Sequence, residues 1–206
     1  MRQAVNIPND YFTLGQSWLN VKPSGWIQAE QIHGAAVALL DADMSLPSST
    51  ITLMKDTDGL ITQIPDRLLS ILTADCLPIF FYLEEPPTVG LVHAGWCGSA
   101  RGIVKNAVAL FQRLSRHAPQ TLSAAFGPSV RSCCYDVGPE FEEIFPKSLE
   151  RRGGRLYVDL VEENRRQLLE AGLLPDRIGS EGSCSGCHKD RAYRMLSWII
   201  LKEGSR

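Results

Sequence analysis

At 206 residues, with 44% hydrophobic and 21% charged side chains, the chain is long enough to bury a sizeable core and ordinary in composition for a globular protein. The formal net charge is −2 with Lys and Arg scattered, which supplies no basic stripe for nucleic acid. The longest apolar run, 79–83 with its flanks, is far short of the ~20 residues a membrane-spanning helix needs. Residues 1–10 lack the apolar stretch and small-residue cleavage pattern of a secretory signal. The expectation is one domain over 1–206, cytoplasmic and monomeric, with no nucleic-acid or membrane partner.

In chain order, short apolar runs bounded by Gly, Pro and Asp predict strands over 26–31, 35–40, 59–62, 68–73, 78–83, 89–93 and 122–126. A turn at Glu84-Glu85-Pro86-Pro87 separates two of them. A helix is predicted over 99–115, where Ala100, Ile103, Val104, Ala107, Val108, Phe111 and Leu114 recur at three- and four-residue steps. A second is predicted over 160–171, with Asp159 and Glu162 as a capping pair and Gly172 ending it. Residues 139–154 and the tail after 182 give no clear pattern. Mixed strands with few helices imply α+β, a sheet core flanked by helices.

Cys76 and His93 each stand at the end of an apolar run, and His33 lies upstream in Gln31-Ile32-His33-Gly34. Two imidazoles and a thiol are the three donors a catalytic zinc takes while keeping its fourth position open. Spacing leaves the alternative of three isolated residues open, because no short C-x-x-C or H-E-x-x-H geometry fixes them. The same residues also suit a nucleophile pair, with Cys76 as thiolate, His93 or His33 as base and Asp75 as orienter. The junction His93-Ala94-Gly95-Trp96-Cys97-Gly98-Ser99 reads as strand, glycine turn and helix start, either an anion cradle of backbone N–H groups or a plain tight connection.

Six cysteines in a chain without an export signal read as thiols, metal ligands or small buried side chains rather than a disulfide framework. Adjacent Cys133 and Cys134 cannot pair with each other without severe strain. Cys184-Ser185-Gly186-Cys187-His188 has the spacing of covalent haem attachment, a chemistry of exported proteins. A metal clip, a thiol pair or plain loop cysteines are the other readings there.

Several segments together resemble one family. They are Gln31-Ile32-His33-Gly34, Asp58-Gly59-Leu60-Ile61-Thr62, Thr73-Ala74-Asp75-Cys76-Leu77-Pro78 and His93-Ala94-Gly95-Trp96. Gly127-Pro128, Cys134-Tyr135-Asp136-Val137-Gly138 and Asp159-Leu160 with Asn164 follow. The set, spanning about 28–187, resembles the YfiH-like laccase-domain family, long labelled multicopper polyphenol oxidase and described as purine nucleoside phosphorylases with adenosine deaminase activity. Some bacterial members are described as peptidoglycan editing factors. The resemblance implies an α+β fold with a mixed-sheet core, similar to bacterial toxin thiol hydrolases. It implies zinc, with copper as the other candidate, on His33, Cys76 and His93.

It further implies purine nucleosides (adenosine, inosine, methylthioadenosine) and phosphate as substrates. Asp75 beside Cys76 is expected to move the proton in deamination, and Gln31, Gly95, Gly98 and Ser99 to line the substrate and phosphate site. The chain departs from the family pattern in four places. Cys97 stands where arginine usually follows H-A-G-W, Arg191-Ala192-Tyr193-Arg194 lacks an adjacent arginine pair, Ser129 replaces a frequent cysteine, and the stretch before Trp26 is short. Arginines are natural binders of anions, so these departures bear most on phosphorolysis. Arg101, Arg131 or Arg191 are the candidate substitutes, and Cys97 is a candidate fourth ligand that would close the site. Two other functions compete: a Cys76-dependent hydrolase of cell-wall precursors, and a catalytically silent metal- or nucleotide-binding protein.

Overall fold

The computed structural model describes residues 12–15, 25–40, 51–116, 118–180, 183–187 and 195–202. Along the chain run β1 (Phe12–Gly15), β2 (Gly25–Ala29), β3 (Val37–Leu40), β4 (Ile51–Met54), β5 (Gly59–Thr62), β6 (Arg67–Thr73), β7 (Leu77–Leu83) and β8 (Thr88–Ala94). They are followed by α1 (Trp96–Ala100), α2 (Ile103–Leu114), β9 (Ser123–Phe126), β10 (Asp136–Val137), α3 (Phe141–Ile144), β11 (Leu149–Arg152), β12 (Arg155–Val158), α4 (Leu160–Glu170), β13 (Ile178–Ser180) and β14 (Met195–Leu201). The fold is α+β.

Among the described residues the strands form three sheets. One is ordered β1-β14-β6-β2-β4, one β13-β9-β7-β8-β5-β3, and the smallest β10-β12-β11. β7 and β8 are buried along their whole length, which is why they read as unbroken apolar runs rather than as alternation. Their two faces serve two cores. Leu77, Ile79, Phe81 and Leu83 pack with Val104, Val108 and Phe111 of α2. Phe80 and Tyr82 turn the other way, toward Ile27 of β2, Ile71 of β6 and Ile199 of β14. Each such side chain contributes roughly 1.5–3 kcal/mol by leaving water.

The apolar stripe predicted over 99–115 is present but interrupted. Gly102 adopts φ 73°, a left-handed conformation that α-helical residues do not share, so the chain forms a short α1 and a separate α2. The second predicted helix is α4. Asp159 caps it by accepting from the backbone N–H groups of Val161 and Glu162. The reciprocal half of a capping box is missing, since the Asp159 N–H goes to the Ser148 carbonyl at 3.3 Å instead of to Glu162. Gly172 at φ 98° follows the helix end as expected. The unpatterned stretch 139–154 holds α3 and β11, and β14 lies in the tail after 182. No helix among the described residues is long and apolar enough to cross a membrane.

β2 and β6 are parallel neighbours, so both leave their sheet at the same edge. From there the chain crosses to the other sheet twice, through 30–36 into β3 and through 74–76 into β7. Leu77 at the start of β7 pairs with Ala94 at the end of β8. Both crossings therefore arrive beside the C-terminal end of β8.

Candidate metal centre

His33 lies on the first crossing, Cys76 on the second, and His93 near the end of β8. A donor atom from each falls within 4.8 Å of the other two. The two imidazole rings stand edge to face, with centroids 5.0 Å apart. The three residues proposed from donor chemistry thus converge because the sheet topology delivers them to one place. His93 is buried, Cys76 half-buried and His33 exposed, so the cluster opens to solvent on one side.

Asp58, fully buried just before β5, organises this centre. Its Oδ1 accepts from His93 Nδ1 at 2.8 Å and from the His33 backbone N–H at 3.0 Å, while Oδ2 accepts from the Gly34 N–H at 2.7 Å. A carboxylate on Nδ1 fixes the tautomer and leaves Nε2 as a lone-pair donor. His33 has φ 58° and Gln31 φ 63°, left-handed conformations that each cost a non-glycine residue roughly 1–3 kcal/mol. The Asp58 bonds to residues 33 and 34 hold that bend in place. Asp58 appeared in the sequence only as one member of a motif, and its carboxylate role depends on a backbone conformation that no residue pattern announces.

Burial pushes the His93 imidazole down despite Asp58, so it is neutral at pH 7 and ready to ligate. Burial, followed by the charges of Asp75, Asp58 and Cys97, pushes the Cys76 thiol up to about 11. A free Cys76 is therefore a thiol at neutral pH and a poor nucleophile, whereas a bound cation would deprotonate it. This weighs against the thiol-hydrolase alternative.

Gly95 shapes the floor. A Cβ there would lie 3.1 Å from Cys76 Sγ, 3.5 Å from His33 Cδ2 and 3.8 Å from His93 Cε1, within the volume the three donors enclose. Two imidazoles and a thiol around such a space fit zinc, and they also match the two-histidine, one-cysteine set of electron-transfer copper sites. Cys97 is not among the donors that lie within 4.8 Å of one another.

The other expected residues divide. Asp75 is exposed beside Cys76, and its Oδ1 accepts from Ser185 Oγ at 2.8 Å. Gln31 uses both ends of its amide on the Leu72 backbone, at 2.6 and 2.7 Å, and so ties the first crossing to β6. Gly98 is buried, and a Cβ there would meet the Gly34 carbonyl at 2.8 Å. Ser99 corrects the expectation of a phosphate ligand. It is fully buried, its hydroxyl accepts from Asn164 Nδ2 at 2.8 Å, its carbonyl accepts from Gln167 Nε2, and its N–H donates to the Gly95 carbonyl. Ser99 anchors α1 to α4.

Arg131, a candidate substitute for the missing arginines, is held by the Asp159 carboxylate at 3.0–3.1 Å. Arg191, Arg194 and His188 lie outside the described residues. Tyr135 was not assigned a role from sequence. Burial pushes its phenol up to about 12, with the charges of Cys76, Cys97 and Asp75 adding to the shift. It packs edge-on against Phe141, which also meets Phe145 and the 40% exposed Trp96.

A family profile described as "Multi-copper polyphenol oxidoreductase laccase" matches residues 9–197. The chain belongs to this family. It is similar to the "Purine nucleoside phosphorylase YlmD" of Geobacillus stearothermophilus, 33% identical over 207 aligned positions that cover 90% of this chain and 76% of that protein. It is 37% identical over 152 positions to the "Purine nucleoside phosphorylase" of Aquifex aeolicus, covering 70% of each. The solved structure of YlmD from Geobacillus stearothermophilus superposes with a TM-score of 0.75 at 32% identity, covering 87% of this chain and 74% of that one. The Bacillus licheniformis hypothetical protein YfiH gives 0.74 at 28% identity, covering 86% and 74%. The family description and the names of its members point to different chemistries, and the donor set at the centre must arbitrate between them.

Proposed function

We propose that the chain is a metal-dependent purine nucleoside enzyme that cleaves nucleosides by phosphorolysis and deaminates adenosine. The observation that carries this reading is the convergence of His33, Cys76 and His93 within 4.8 Å around the space left by Gly95. Names of relatives supply the substrate class, a purine nucleoside with phosphate. A zinc ion on the three donors would supply a Lewis acid at an open coordination position.

The chain's own residues supply the rest. Exposed Trp96 and half-buried Tyr135 offer flat apolar faces for a purine, with Ile32, 53% exposed, next to His33. Asp75 stands at the solvent-facing side of Cys76, where its carboxylate would take a proton from the attacking water and return one to the departing amino group. Ser185 holds that carboxylate in orientation. In phosphorolysis, a phosphate oxygen would attack the ribose C1′ as the purine leaves. With Ser99 engaged by α4, the anion would fall to the first-turn amides of α1 at Trp96, Cys97 and Gly98, which have no partner within their helix.

The test is turnover of adenosine and inosine, with and without phosphate, by protein of measured metal content. Phosphate-dependent release of the base, together with formation of inosine from adenosine, is the expected result. A zinc-loaded protein inert toward both substrates would refute the reading. A blue, redox-active copper protein would instead favour the chemistry of the family description.

A further inference from the structure

We propose that Cys133, Cys134, Cys184 and Cys187 form a second metal site, a closed four-thiolate centre that binds zinc and clips two loops together beside the first centre. All four sulfur atoms lie within 4.8 Å of one another, and Cys187 Sγ is 3.5 Å from both Cys133 Sγ and Cys134 Sγ. A tetrahedral zinc with Zn–S bonds of about 2.3 Å requires sulfur–sulfur edges of roughly 3.8 Å. The quartet is therefore near the size of a filled coordination shell. All four are free thiols. A disulfide would draw a pair to about 2.05 Å, well inside the 3.5 Å separations from Cys187 to Cys133 and Cys134. Four soft donors with no oxygen or imidazole among them select zinc over harder cations.

The two loops are shaped to bring the sulfurs together. Residues 131–135 form a tight turn in which the N–H groups of Cys134 and Tyr135 both donate to the Arg131 carbonyl, at 2.8 and 2.9 Å. Ser185–Cys187 form a single turn of 3-10 helix, which points Cys184 and Cys187 to one side. A parallel bridge between Ser129 and Cys184, with the Ser185 N–H donating to the Ser129 carbonyl at 3.0 Å, sets the two loops in register.

Gly186 then sits directly against Cys134. A Cβ at 186 would lie 2.7 Å from Cys134 Cβ and 3.2 Å from its Sγ, so only glycine allows this approach. Cys133 and Cys187 are exposed, Cys134 is half-buried and Cys184 buried, so one side of the quartet faces solvent. A metal crosslink there would add its binding free energy to the folded arrangement of the two loops.

The clip has a consequence for the first centre. Ser185, between two of its ligands, donates to Asp75 Oδ1, and the Val130 N–H donates to the Asp75 carbonyl at 2.9 Å. Tyr135 directly follows Cys134. The second metal thus fixes the position of groups at the rim of the first while touching no substrate.

The decisive measurement is metal stoichiometry by elemental analysis of the full chain purified under reducing conditions. Two zinc ions per chain are expected for the natural sequence. One is expected for a His33→Ala/His93→Ala variant, and one for a Cys184→Ser/Cys187→Ser variant. Cobalt bound to the His33→Ala/His93→Ala protein should show the intense sulfur-to-metal charge transfer and tetrahedral ligand-field bands of four thiolates. That readout does not depend on the serine variant folding, or on the first centre being active. Failure of that protein to bind cobalt or zinc would overturn the proposal, as would a disulfide within the quartet in the reduced preparation.

Discussion

The three-donor centre and the four-cysteine cluster lie on either side of Asp75 and are made differently. His33, Cys76 and His93 are placed by strand ends and by a buried carboxylate that would hold two of them with no metal present. The cysteines sit on two partly exposed turns joined at the bridge between Ser129 and Cys184, and a shared ion would tie all four sulfurs together. Three donors beside an exposed aromatic rim suit chemistry, whereas four donors suit a clip. A protein can therefore build one metal site as a consequence of its fold and another as a condition of it.

Removing Asp58 should break this comparison most sharply. Asp58→Ala deletes the His93 partner and both bonds to the 33–34 backbone, so affinity at the first centre should fall about 10–100-fold and stability by roughly 1–3 kcal/mol as buried donors lose their acceptor. Chelator competition and urea denaturation measure the two effects, and the cysteine cluster should keep its ion. Unchanged affinity would mean that the sheets alone suffice to hold the ligands.

Proton linkage comes next. Cys76 is protonated in the metal-free fold with a value raised to about 11, and binding requires the thiolate, so each ion releases a proton. Apparent affinity at the first centre should rise about tenfold per pH unit from neutrality toward that value. His93, pushed down and already neutral, adds nothing to that slope. Without metal the sign reverses. The unfolded chain releases the Cys76 proton above the ordinary 9.0 while the fold retains it to about 11, so stability is full below 9.0 and declines across that interval. Titration by calorimetry at several pH values checks the first statement, and denaturation of the metal-free protein checks the second.

Paired glycine variants sharpen the contrast further. Gly95→Ala crowds the three donors and Gly186→Ala drives into Cys134, each at about 1–3 kcal/mol. Each should weaken only its own metal, as read by cobalt spectra. Ser99→Ala should cost about 1–2 kcal/mol by stranding Asn164, with the KM for phosphate unchanged. A raised KM would return Ser99 to the anion site. The smallest effect is expected for Cys97→Ala, which should leave metal affinity at the first centre unaltered because its sulfur is not among the converging donors.

Much of the architecture is legible in the residues for a physical reason. β7 and β8 are buried on both faces, so length and bounding turns identify them. β11 is mostly exposed and carries Glu150, Arg151 and Arg152, so pairing with β12 defines it and no hydrophobic pattern does. The split between α1 and α2 is hidden because the apolar rhythm resumes on the far side of Gly102. At the first centre, donor chemistry and family resemblance single out the three residues that converge, while Asp58 acts through a bend invisible in sequence. The cysteine cluster is harder still. Its first pair is adjacent rather than spaced as C-x-x-C, and its halves meet only through the bridge from Ser129 to Cys184.

The Asp58 clamp also governs how this scaffold can change. Because one carboxylate orients the His93 ring and the backbone of residues 33 and 34, the 31–34 bend and the His93 ring cannot shift independently of each other. Cys76 accepts nothing from that clamp and hangs from the second crossing alone. Exchanging it for a carboxylate or a third imidazole would harden the donor set while leaving both histidines seated. A change of metal, and with it of chemistry, therefore lies one residue away at Cys76.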